Sequence, residues 1–197
     1  MNLGDSVPPT RVFMIDNFDS FTFNIAHGLV AAGASVEVRR ADDVDLDALE
    51  AQPPDLLVLS PGPGHPQDAR VAMAAIERLQ GKLPVFGVCL GMQCLALAYG
   101  GEVEPQAEPV HGRATRILHD GRGIFQGLPS PIRVARYHSL RVARVPACME
   151  VTAWSEDGAP MAMRHRGLRM AGVQFHPDSF LTDDGPAILA HVLRGNF

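Results

Sequence analysis

The pattern of apolar and polar residues divides the chain into two parts. Up to about residue 100, short apolar runs alternate with segments whose apolar residues recur at helical spacing. The predicted strands are Val12 to Asp16, Ser35 to Val38, Leu56 to Leu59 and Leu83 to Val88. The predicted helices are one from about Phe21 that stops at Gly33, a weak one from Asp45 to Glu50, one with Val71, Ala72, Ala75, Ile76 and Leu79 on one face before Gly81, and one from Gln93 to Tyr99. This alternation predicts a doubly wound α/β sheet.

After Gly100-Gly101 the pattern changes to short alternating segments, which are typical of antiparallel strands beside a parallel core. They are expected at Ala114 to Leu118, Ile132 to Tyr137, Met149 to Trp154, Met161 to Arg164 and Met170 to Phe175. A last helix is expected to open at Asp183-Asp184-Gly185-Pro186, with Ile188, Leu189, Val192 and Leu193 inward. Residues 1–10 are predicted to be a flexible N-terminus, and residues 11–197 a single domain.

Composition and charge narrow the classes of function. Hydrophobic residues make up 46% of the 197 residues, and no apolar run approaches the ~18 residues of a membrane span, so we expect a globular protein that neither enters a membrane nor carries a secretory signal. The formal charge is −5, and Lys82 is the one lysine among 17 basic residues, which leaves no basic stripe for nucleic acid. Three cysteines, with Cys89 and Cys94 expected on different faces of a helix, indicate no local disulfide and a reducing cytoplasm.

The most informative stretch is Gly87-Val88-Cys89-Leu90-Gly91, in which an apolar strand enters a turn and then a helix. This pattern is typical of a nucleophile elbow, here with a thiol as the nucleophile. The two glycines would let the backbone crowd together, and the positive end of the helix dipole would favour the thiolate of Cys89. The N–H of Leu90 would point at the same place and stabilise an oxyanion. The alternative is that Cys89 is a small buried hydrophobic residue, as most free cysteines are.

A nucleophilic cysteine needs a base, and His176 is the best candidate among eight histidines. It follows the strand that ends at Phe175, where α/β sheets place ligands, and Asp178 lies two residues on. Cys89, His176 and Asp178 would then form a catalytic triad, the alternative being a surface His-Pro-Asp turn. Six histidines are set aside as helix-surface residues or as loop or exposed residues without a carboxylate at useful spacing: His27, His191, His65, His111, His119 and His165. The Cys and His spacing does not favour a zinc site.

Four separated motifs, in this order, resemble the class I glutamine amidotransferases. They are Ser60-Pro61-Gly62-Pro63-Gly64, Gly87-Val88-Cys89-Leu90-Gly91 with Gln93, Tyr137-His138-Ser139-Leu140, and Gly172-Val173-Gln174-Phe175-His176-Pro177. Two further stretches resemble the small-subunit branch of anthranilate synthase and aminodeoxychorismate synthase: Asp16-Asn17-Phe18-Asp19-Ser20-Phe21-Thr22 and Ser179-Phe180-Leu181-Thr182. The resemblance implies a flavodoxin-like α/β fold and hydrolysis of glutamine to glutamate and ammonia through a glutamyl thioester on Cys89.

The resemblance also implies which residues contact the substrate: Gly62, Pro63, Gly64, Leu90, Gln93, Ser139 and Leu140. The Gly62 to Gly64 loop would line the glutamine pocket, and its backbone would join the Leu90 N–H in the oxyanion hole. Gln93 would hold the substrate amide or α-substituents, and Ser139 with Leu140 would bind the amino acid end through backbone groups. Without the resemblance, these stretches are equally typical of a tight turn, a solvated helix face and an ordinary strand.

Two positions depart from the family pattern. Asp178 stands where the family usually has Glu, so the side chain is shorter by one C–C bond, on the order of 1.5 Å. Met92 stands where many members have His, and the hydrolytic chemistry requires nothing of that position. Of these two departures, the one at the third triad position affects a residue with an expected chemical role, so the resemblance is least secure there.

The motifs are spread over almost the whole sequence, which leaves no room for a second domain that would consume ammonia. We therefore expect another polypeptide to use the ammonia. By resemblance the consumer is a chorismate-using synthase subunit that makes anthranilate, 4-amino-4-deoxychorismate or both, on routes to tryptophan or folate. Glutaminase activity would be low until that subunit binds, and neither a cofactor nor a metal is expected. Two alternatives stay open: a hydrolase of the same fold that cleaves another γ-glutamyl or peptide bond, and a non-catalytic regulatory subunit.

Overall fold

A computed structural model of the protein describes residues 8–106, 109–110 and 112–197. The strands are β1 (Arg11–Asp16), β2 (Ser35–Arg40), β3 (Leu56–Leu59), β4 (Val85–Val88), β5 (Glu102–Pro105), β6 (Arg113–His119), β7 (Ile132–Arg136), β8 (Leu140–Arg144), β9 (Met149–Ser155), β10 (Pro160–His165) and β11 (Met170–Val173). The α-helices are α1 (Thr22–Ala31), α2 (Leu46–Ala51), α3 (Arg70–Leu79), α4 (Leu90–Ala98) and α5 (Gly185–Leu193). Of the predicted flexible N-terminus, residues 1–7 lie outside the described residues.

A nine-stranded sheet in the described chain has the order β2-β1-β3-β4-β11-β10-β9-β6-β7. The first five of these strands run parallel to one another. The apolar runs Leu56–Leu59 and Val85–Val88 are buried along their whole length, as strands covered on both faces require. The predicted doubly wound, flavodoxin-like arrangement is confirmed, because β2-β1-β3-β4 is the strand order of that fold.

Helices cover both faces of the parallel strands and divide the core into two layers. Ile25 of α1 and Leu189 of α5 belong to one buried cluster, whereas Ile76 of α3 belongs to the other. Val58 faces the first layer and Leu57 the second, because successive residues of a strand point to opposite faces. Burial of each such side chain contributes about 1.5–3 kcal/mol, so the two layers hold the strand ends in fixed register.

The antiparallel half agrees with the sequence prediction except at three elements. Strands β10, β9, β6 and β7 are antiparallel neighbours, as predicted. Strand β11 was expected among them, but it pairs in parallel with β4 and is antiparallel only to β10, since it is buried on both faces at the centre of the sheet. Strands β5 and β8 were not predicted, and they form a separate two-stranded sheet.

The far edge of the large sheet turns back toward its centre. Ala135 of the edge strand β7 forms an isolated antiparallel bridge with His176, which follows the central strand β11. The backbone N–H of His176 donates to the carbonyl of Ala135 at 3.0 Å, and the N–H of Ala135 donates to Oγ1 of Thr182 at 3.0 Å. The two ends of the antiparallel half are therefore linked at the residue that the sequence predicts as the catalytic base.

Candidate active site

Four loops meet at the carboxyl ends of neighbouring parallel strands. They follow β1, β3, β4 and β11, and begin at Asn17, Ser60, Cys89 and Gln174. The first two loops are joined, because the backbone N–H of Asn17 donates to Oγ of Ser60 at 2.8 Å and its side chain donates to the carbonyl of Ser60 at 3.0 Å. This edge is where open α/β sheets bind ligands, so the topology brings the predicted site residues to a suitable place.

Cys89 occupies a strained turn between β4 and α4. Its φ is 53° and its ψ is −102°, a backbone conformation that a non-glycine residue adopts at a cost of order 1–3 kcal/mol. Its N–H donates to the carbonyl of Val173 at 2.7 Å, and its carbonyl accepts from the N–H of Gln93 at 3.1 Å. Helix α4 therefore starts at Leu90 rather than at the predicted Gln93, and Cys89 is its N-cap. The elbow geometry that the sequence predicted is present.

The two glycines of the turn permit close approach of neighbouring backbone. A Cβ placed on Gly87 would lie 2.4 Å from the carbonyl carbon of Gly91. A Cβ placed on Gly91 would lie 2.3 Å from the carbonyl oxygen of Leu59. Both positions therefore require glycine for space, whereas the left-handed conformation in this turn belongs to Cys89 itself.

Cys89 is buried, but its side chain has polar neighbours. Nε2 of Gln174 lies 3.5 Å from its Sγ, and the sulfur interacts with the ring of His176. A cysteine that was only a small hydrophobic core residue would not need an amide and an imidazole beside it. The surroundings therefore favour the nucleophile interpretation over the core interpretation.

The side chains of His176 and Asp178 are both buried and lie close together. Nδ1 of His176 is 3.4 Å from Oδ1 of Asp178, with side-chain exposures of 2% and 0%. Neither this nitrogen nor either carboxylate oxygen makes a hydrogen bond to the described residues, so the contact is an ion pair without hydrogen-bond geometry. Burial disfavours the charged imidazolium and so lowers the pKa of His176. The interactions of the ring with Asp178 and Cys89 outweigh this effect and raise the pKa to about 9. A buried pair of this kind excludes the alternative of a surface His-Pro-Asp turn.

The remaining contacts of His176 come from residues to which the sequence prediction gave no role. The ring of Tyr137 lies 5.0 Å away at 69°, and the ring of Phe21 lies 5.4 Å away at 76°. The hydroxyl of Thr182 donates to the carbonyl of His176 at 2.6 Å. Each of these residues, like Gln174, lies inside a stretch on which the family resemblance depends, and that location is the signal that could have found them.

The predicted oxyanion residues lie side by side. A Cβ on Gly62 would be 2.6 Å from Cδ2 of Leu90, so this loop touches the first residue of α4. Pro63 and Leu90 also line a cavity of about 360 Å³, whose other walls include Asn17 and Phe18. A larger groove of about 610 Å³ lies between α3 and the end of α4. Neither Cys89 nor His176 lines either cavity, but the smaller one reaches Leu90 of the elbow and the larger one does not.

The other predicted glutamine contacts lie behind and beside the elbow. Gln93 is buried, and its side-chain amide donates to the carbonyl of Leu140 at 3.3 Å and to Oε1 of Gln174 at 3.0 Å. The alternative of a solvated helix face is therefore wrong for Gln93. Ser139 is exposed between β7 and β8, and its carbonyl accepts from the N–H of Gln106 at 2.7 Å.

One of the histidines set aside is not where the sequence predicted it. His119 was expected in a loop or exposed segment, but it is buried at the end of β6, stacked on Phe125 at 4.6 Å with Nε2 2.7 Å from the carbonyl of Pro129. The ring of His119 makes its polar contacts within the core, and no cysteine lies beside it. His111 lies outside the described residues, and His27 is exposed as predicted.

Two classes of site find no support in the described residues. No group of three or more His, Cys, Asp and Glu side chains there could hold a metal ion. In the same part of the chain, the helices are too short or too polar to cross a membrane. All three cysteines are free thiols, with Cys89 and Cys94 buried.

Comparisons with known proteins point to one family. The sequence model of the family described as glutamine amidotransferase class-I matches residues 13–195. Anthranilate synthase component 2 of Pseudomonas aeruginosa is 47% identical over 190 residues, which cover 93% of this chain and 94% of that protein. Aminodeoxychorismate/anthranilate synthase component 2 of Bacillus subtilis is 43% identical over 185 residues, which cover 93% of this chain and 95% of that protein.

Two further similarities concern chain length and fold. A multifunctional tryptophan biosynthesis protein of Pichia angusta is 44% identical over 187 residues, or 93% of this chain, and the match spans about half of that protein, 51%. The crystal structure of a Thermoplasma acidophilum protein, described as one subunit of a GMP synthase, superposes with a TM-score of 0.86 over 95% of this chain and 94% of that chain. Its sequence identity is 24%, so this likeness shows the fold alone.

Proposed function

Because the chain belongs to the class-I glutamine amidotransferase family, we propose that residues 11–197 act as one glutaminase domain with Cys89 as the nucleophile. The observation that carries the assignment is the pairing of a cysteine on a strained strand-to-helix turn with a buried histidine beside it. Members of this family hydrolyse glutamine to glutamate and ammonia, so the substrate is glutamine.

The first half of the reaction forms a glutamyl thioester. His176 holds the proton of the Cys89 thiol, and the sulfur attacks the side-chain amide carbon of glutamine. The oxyanion is stabilised by the N–H of Leu90, at the positive end of α4, and by the backbone of the Gly62 loop. The C–N bond then breaks, and the imidazole returns its proton to the departing nitrogen as ammonia.

The second half releases glutamate. Water attacks the thioester carbon while His176 accepts a proton from it, and the C–S bond breaks to regenerate the Cys89 sulfur. Asp178 stabilises the imidazolium that forms in both halves, through the charge pair at 3.4 Å. Gln93 keeps Leu140 and Gln174 in place beside the sulfur and the substrate.

The ammonia is delivered to a chorismate-using synthase subunit. The support for this partner is that relatives at 43–47% identity over almost their whole length are named component 2 of anthranilate or aminodeoxychorismate synthase. Because both product names occur among the relatives, identity does not select between anthranilate and 4-amino-4-deoxychorismate. Co-purification followed by assay of glutamine- and chorismate-dependent product with the captured subunit identifies which is made.

The nucleophile is tested with Cys89→Ala. This variant is expected to lose glutamine hydrolysis, while its complex with the synthase subunit still forms product from added ammonium salts, because that chemistry lies on the other chain. Cys148→Ala is the matched control and is expected to keep both activities. Glutaminase activity retained in Cys89→Ala would exclude Cys89 as the nucleophile.

A second experiment tests the thiol directly. A glutamine-like electrophile is expected to label Cys89 and to leave Cys94 largely unmodified, because burial raises the pKa of the Cys94 thiol to about 12. Peptide mapping by mass spectrometry reads the result. Modification of Cys94 at the rate of Cys89 would mean that the electrophile does not report the glutamine site.

A further inference from the structure

Two aromatic rings contact the imidazole of His176. Tyr137 and Phe21 both meet it in T-shaped contacts, at 5.0 Å and 5.4 Å, and they lie 5.2 Å from each other. Tyr137 follows β7 and Phe21 precedes α1, so the rings approach from two different loops. We call Phe21 and Tyr137 the aromatic clamp.

The orientation of His176 needs such a support in this chain. In a hydrogen-bonded triad the carboxylate fixes the imidazole, but here Nδ1 of His176 and both oxygens of Asp178 lack hydrogen bonds to the described residues. The χ2 torsion of histidine is intrinsically broad, so an ion pair at 3.4 Å leaves rotation about it weakly restrained. Edge-to-face aromatic contacts are directional and contribute about 0.5–1.5 kcal/mol each beyond burial.

The loop between β1 and α1 holds Phe21 firmly. The side chain of Asp19 accepts from the backbone N–H of Phe21 at 2.8 Å. Oδ1 of Asp16 accepts from the N–H of Asp19 at 3.1 Å and from the hydroxyl of Thr22 at 2.7 Å. These bonds tie the loop to the end of β1, so the ring of Phe21 has a fixed backbone behind it.

We propose that Phe21 and Tyr137 are positioning residues for this reaction, which hold the His176 imidazole toward Cys89 in place of the missing hydrogen bond from its Nδ1 to Asp178. The proposal rests on the proposed function, since it assumes that His176 serves Cys89. The third member of a triad usually both orients the imidazole and stabilises its positive charge. In this proposal the aromatic clamp orients the imidazole, and Asp178 stabilises its charge.

The charge around His176 is compatible with this division. Among the described residues, the ionisable groups that interact with it electrostatically include Cys89, Asp178, Asp19 and His138, and Tyr137 contacts it as part of the clamp. Burial raises the pKa of Asp19, although the charge of His176 opposes that rise, so Asp19 lies within electrostatic range of the ring. Protonation is therefore controlled by charges, whereas the rings of the clamp restrict rotation.

The test compares Phe21→Leu with Phe23→Leu in the full chain. Phe23 lies in the first turn of α1, the helix that Phe21 precedes, and is 57% exposed, so it is a matched control. Phe21→Leu is expected to lower the kcat of glutamine hydrolysis about 10- to 100-fold with KM changed less than threefold, because orientation of the base is felt mainly in the transition state. Phe21→Tyr, which keeps the ring, is expected to stay within about threefold of wild type.

A second readout separates positioning from general loosening of the fold. The pH profile of Cys89 alkylation by iodoacetamide depends on the imidazole beside the sulfur, and we expect it to shift in Phe21→Leu and to be unchanged in Phe23→Leu. Thermal unfolding of both variants is measured alongside. A Phe21→Leu protein with the wild-type alkylation profile and a kcat within twofold of wild type would overturn the proposal.

The second ring gives an independent check. Tyr137→Leu is expected to lower kcat in the same way, and Tyr137→Phe to restore it. If both leucine variants fail to fold, the clamp is structural and the positioning role is wrong. If Cys89→Ala keeps its glutaminase activity, the proposed function itself fails, whereas an inactive Cys89→Ala beside a fully active Phe21→Leu overturns the clamp alone.

Discussion

At the scale of single residues, Asp178 decides how the candidate triad works. Its carboxylate is completely buried and lies 3.4 Å from Nδ1 of His176. At this distance and geometry it supplies charge to the imidazole, but it does not fix the ring as a hydrogen bond would. Charge and length can be varied separately at this position, so substitutions there distinguish the two contributions.

We expect Asp178→Asn to lower kcat for glutamine hydrolysis by one or more orders of magnitude with little change in KM. The amide keeps the shape of the side chain and removes the charge that stabilises the imidazolium in the transition state. Asp178→Glu adds one C–C bond, about 1.5 Å, and is expected to be tolerated or to raise the rate. Steady-state kinetics with saturating partner subunit measure both, and an unimpaired Asn variant would mean that Cys89 and His176 work as a dyad.

His176 links the site to the pH dependence of stability. Burial opposes its charge, yet Asp178 and Cys89 raise its pKa from 6.5 to about 9 in the folded chain. A raised pKa means that the folded state binds the proton more tightly than the unfolded state does. The stabilisation is therefore fully present below about pH 6.5 and is lost as the pH rises to about 9.

The raised pKa of His176 predicts that wild type and His176→Asn differ in how their stability to urea depends on pH. From pH 6.5 to 9, the free energy of unfolding of wild type should fall by up to about 3 kcal/mol more than that of His176→Asn, at roughly 1.4 kcal/mol per pKa unit. His27→Asn changes an exposed histidine and should follow wild type. Parallel curves for wild type and His176→Asn would contradict the raised pKa.

At the scale of elements, the turn between β4 and α4 requires glycine at positions where a side chain would collide with neighbouring backbone. Gly91→Ala would place a Cβ 2.3 Å from the backbone oxygen of Leu59, which belongs to a central strand and cannot move away easily. We expect this variant to lose roughly 3 kcal/mol or more of unfolding free energy, at or beyond the upper end of the cost of overpacking.

Gly167→Ala is the control for that substitution. A Cβ there would meet no atom within 4 Å, so its unfolding free energy should stay within about 0.5 kcal/mol of wild type. Urea unfolding midpoints with unchanged slopes compare the two variants. Equal stability of Gly91→Ala and Gly167→Ala would show that β3 and the elbow are less tightly packed than the structure indicates.

The elements that the sequence predicted well are those whose pattern is local. Leu56–Leu59 and Val85–Val88 are continuous apolar runs, and burial on both faces follows directly from that. Strand β5 (Glu102–Pro105) was missed because two of its four residues are charged and it pairs only with β8. The direction of β11 was missed because a strand's sequence does not specify which neighbour it pairs with.

The residues of the candidate site also fall into two groups, those with a local sequence signal and those without one. Cys89, His176 and Asp178 were identifiable because their motifs lie at strand ends. Phe21 and Tyr137 contact His176 from loops 155 and 39 positions earlier, and tertiary packing alone creates those contacts. The helix start at Leu90 was missed because the first seven residues of α4 are all buried, so no alternation of apolar and polar residues marks where the helix begins.

At the scale of the whole molecule, the surface near the candidate site carries exposed aromatic side chains, among them Phe18, which is 52% exposed. Phe180 follows the His176 turn by four residues and is 89% exposed. Under the proposed function, ammonia is formed at Cys89 and has to reach the synthase subunit, so we expect that subunit to cover the surface near this turn. Exposed aromatic residues at such a place are commonly anchors of protein interfaces.

We therefore expect Phe180→Asp to weaken binding to the synthase subunit at least tenfold while the chain stays folded. Leu118→Asp is the control, because Leu118 is 58% exposed on β6, away from the elbow. Titration calorimetry or co-purification measures the two affinities. Equal binding by both variants would place the interface elsewhere on the surface.

The bridge between Ala135 and His176 makes the proposed catalytic base observable without substrate. The amide proton of His176 is held by the carbonyl of Ala135 at 3.0 Å and can exchange with deuterated solvent only when the edge strand separates from the loop that carries the base. The exchange rate of this one amide therefore gives the free energy needed to open the closed half of the sheet. A synthase partner that activates the enzyme by tightening its site would slow that exchange before any glutamine is added.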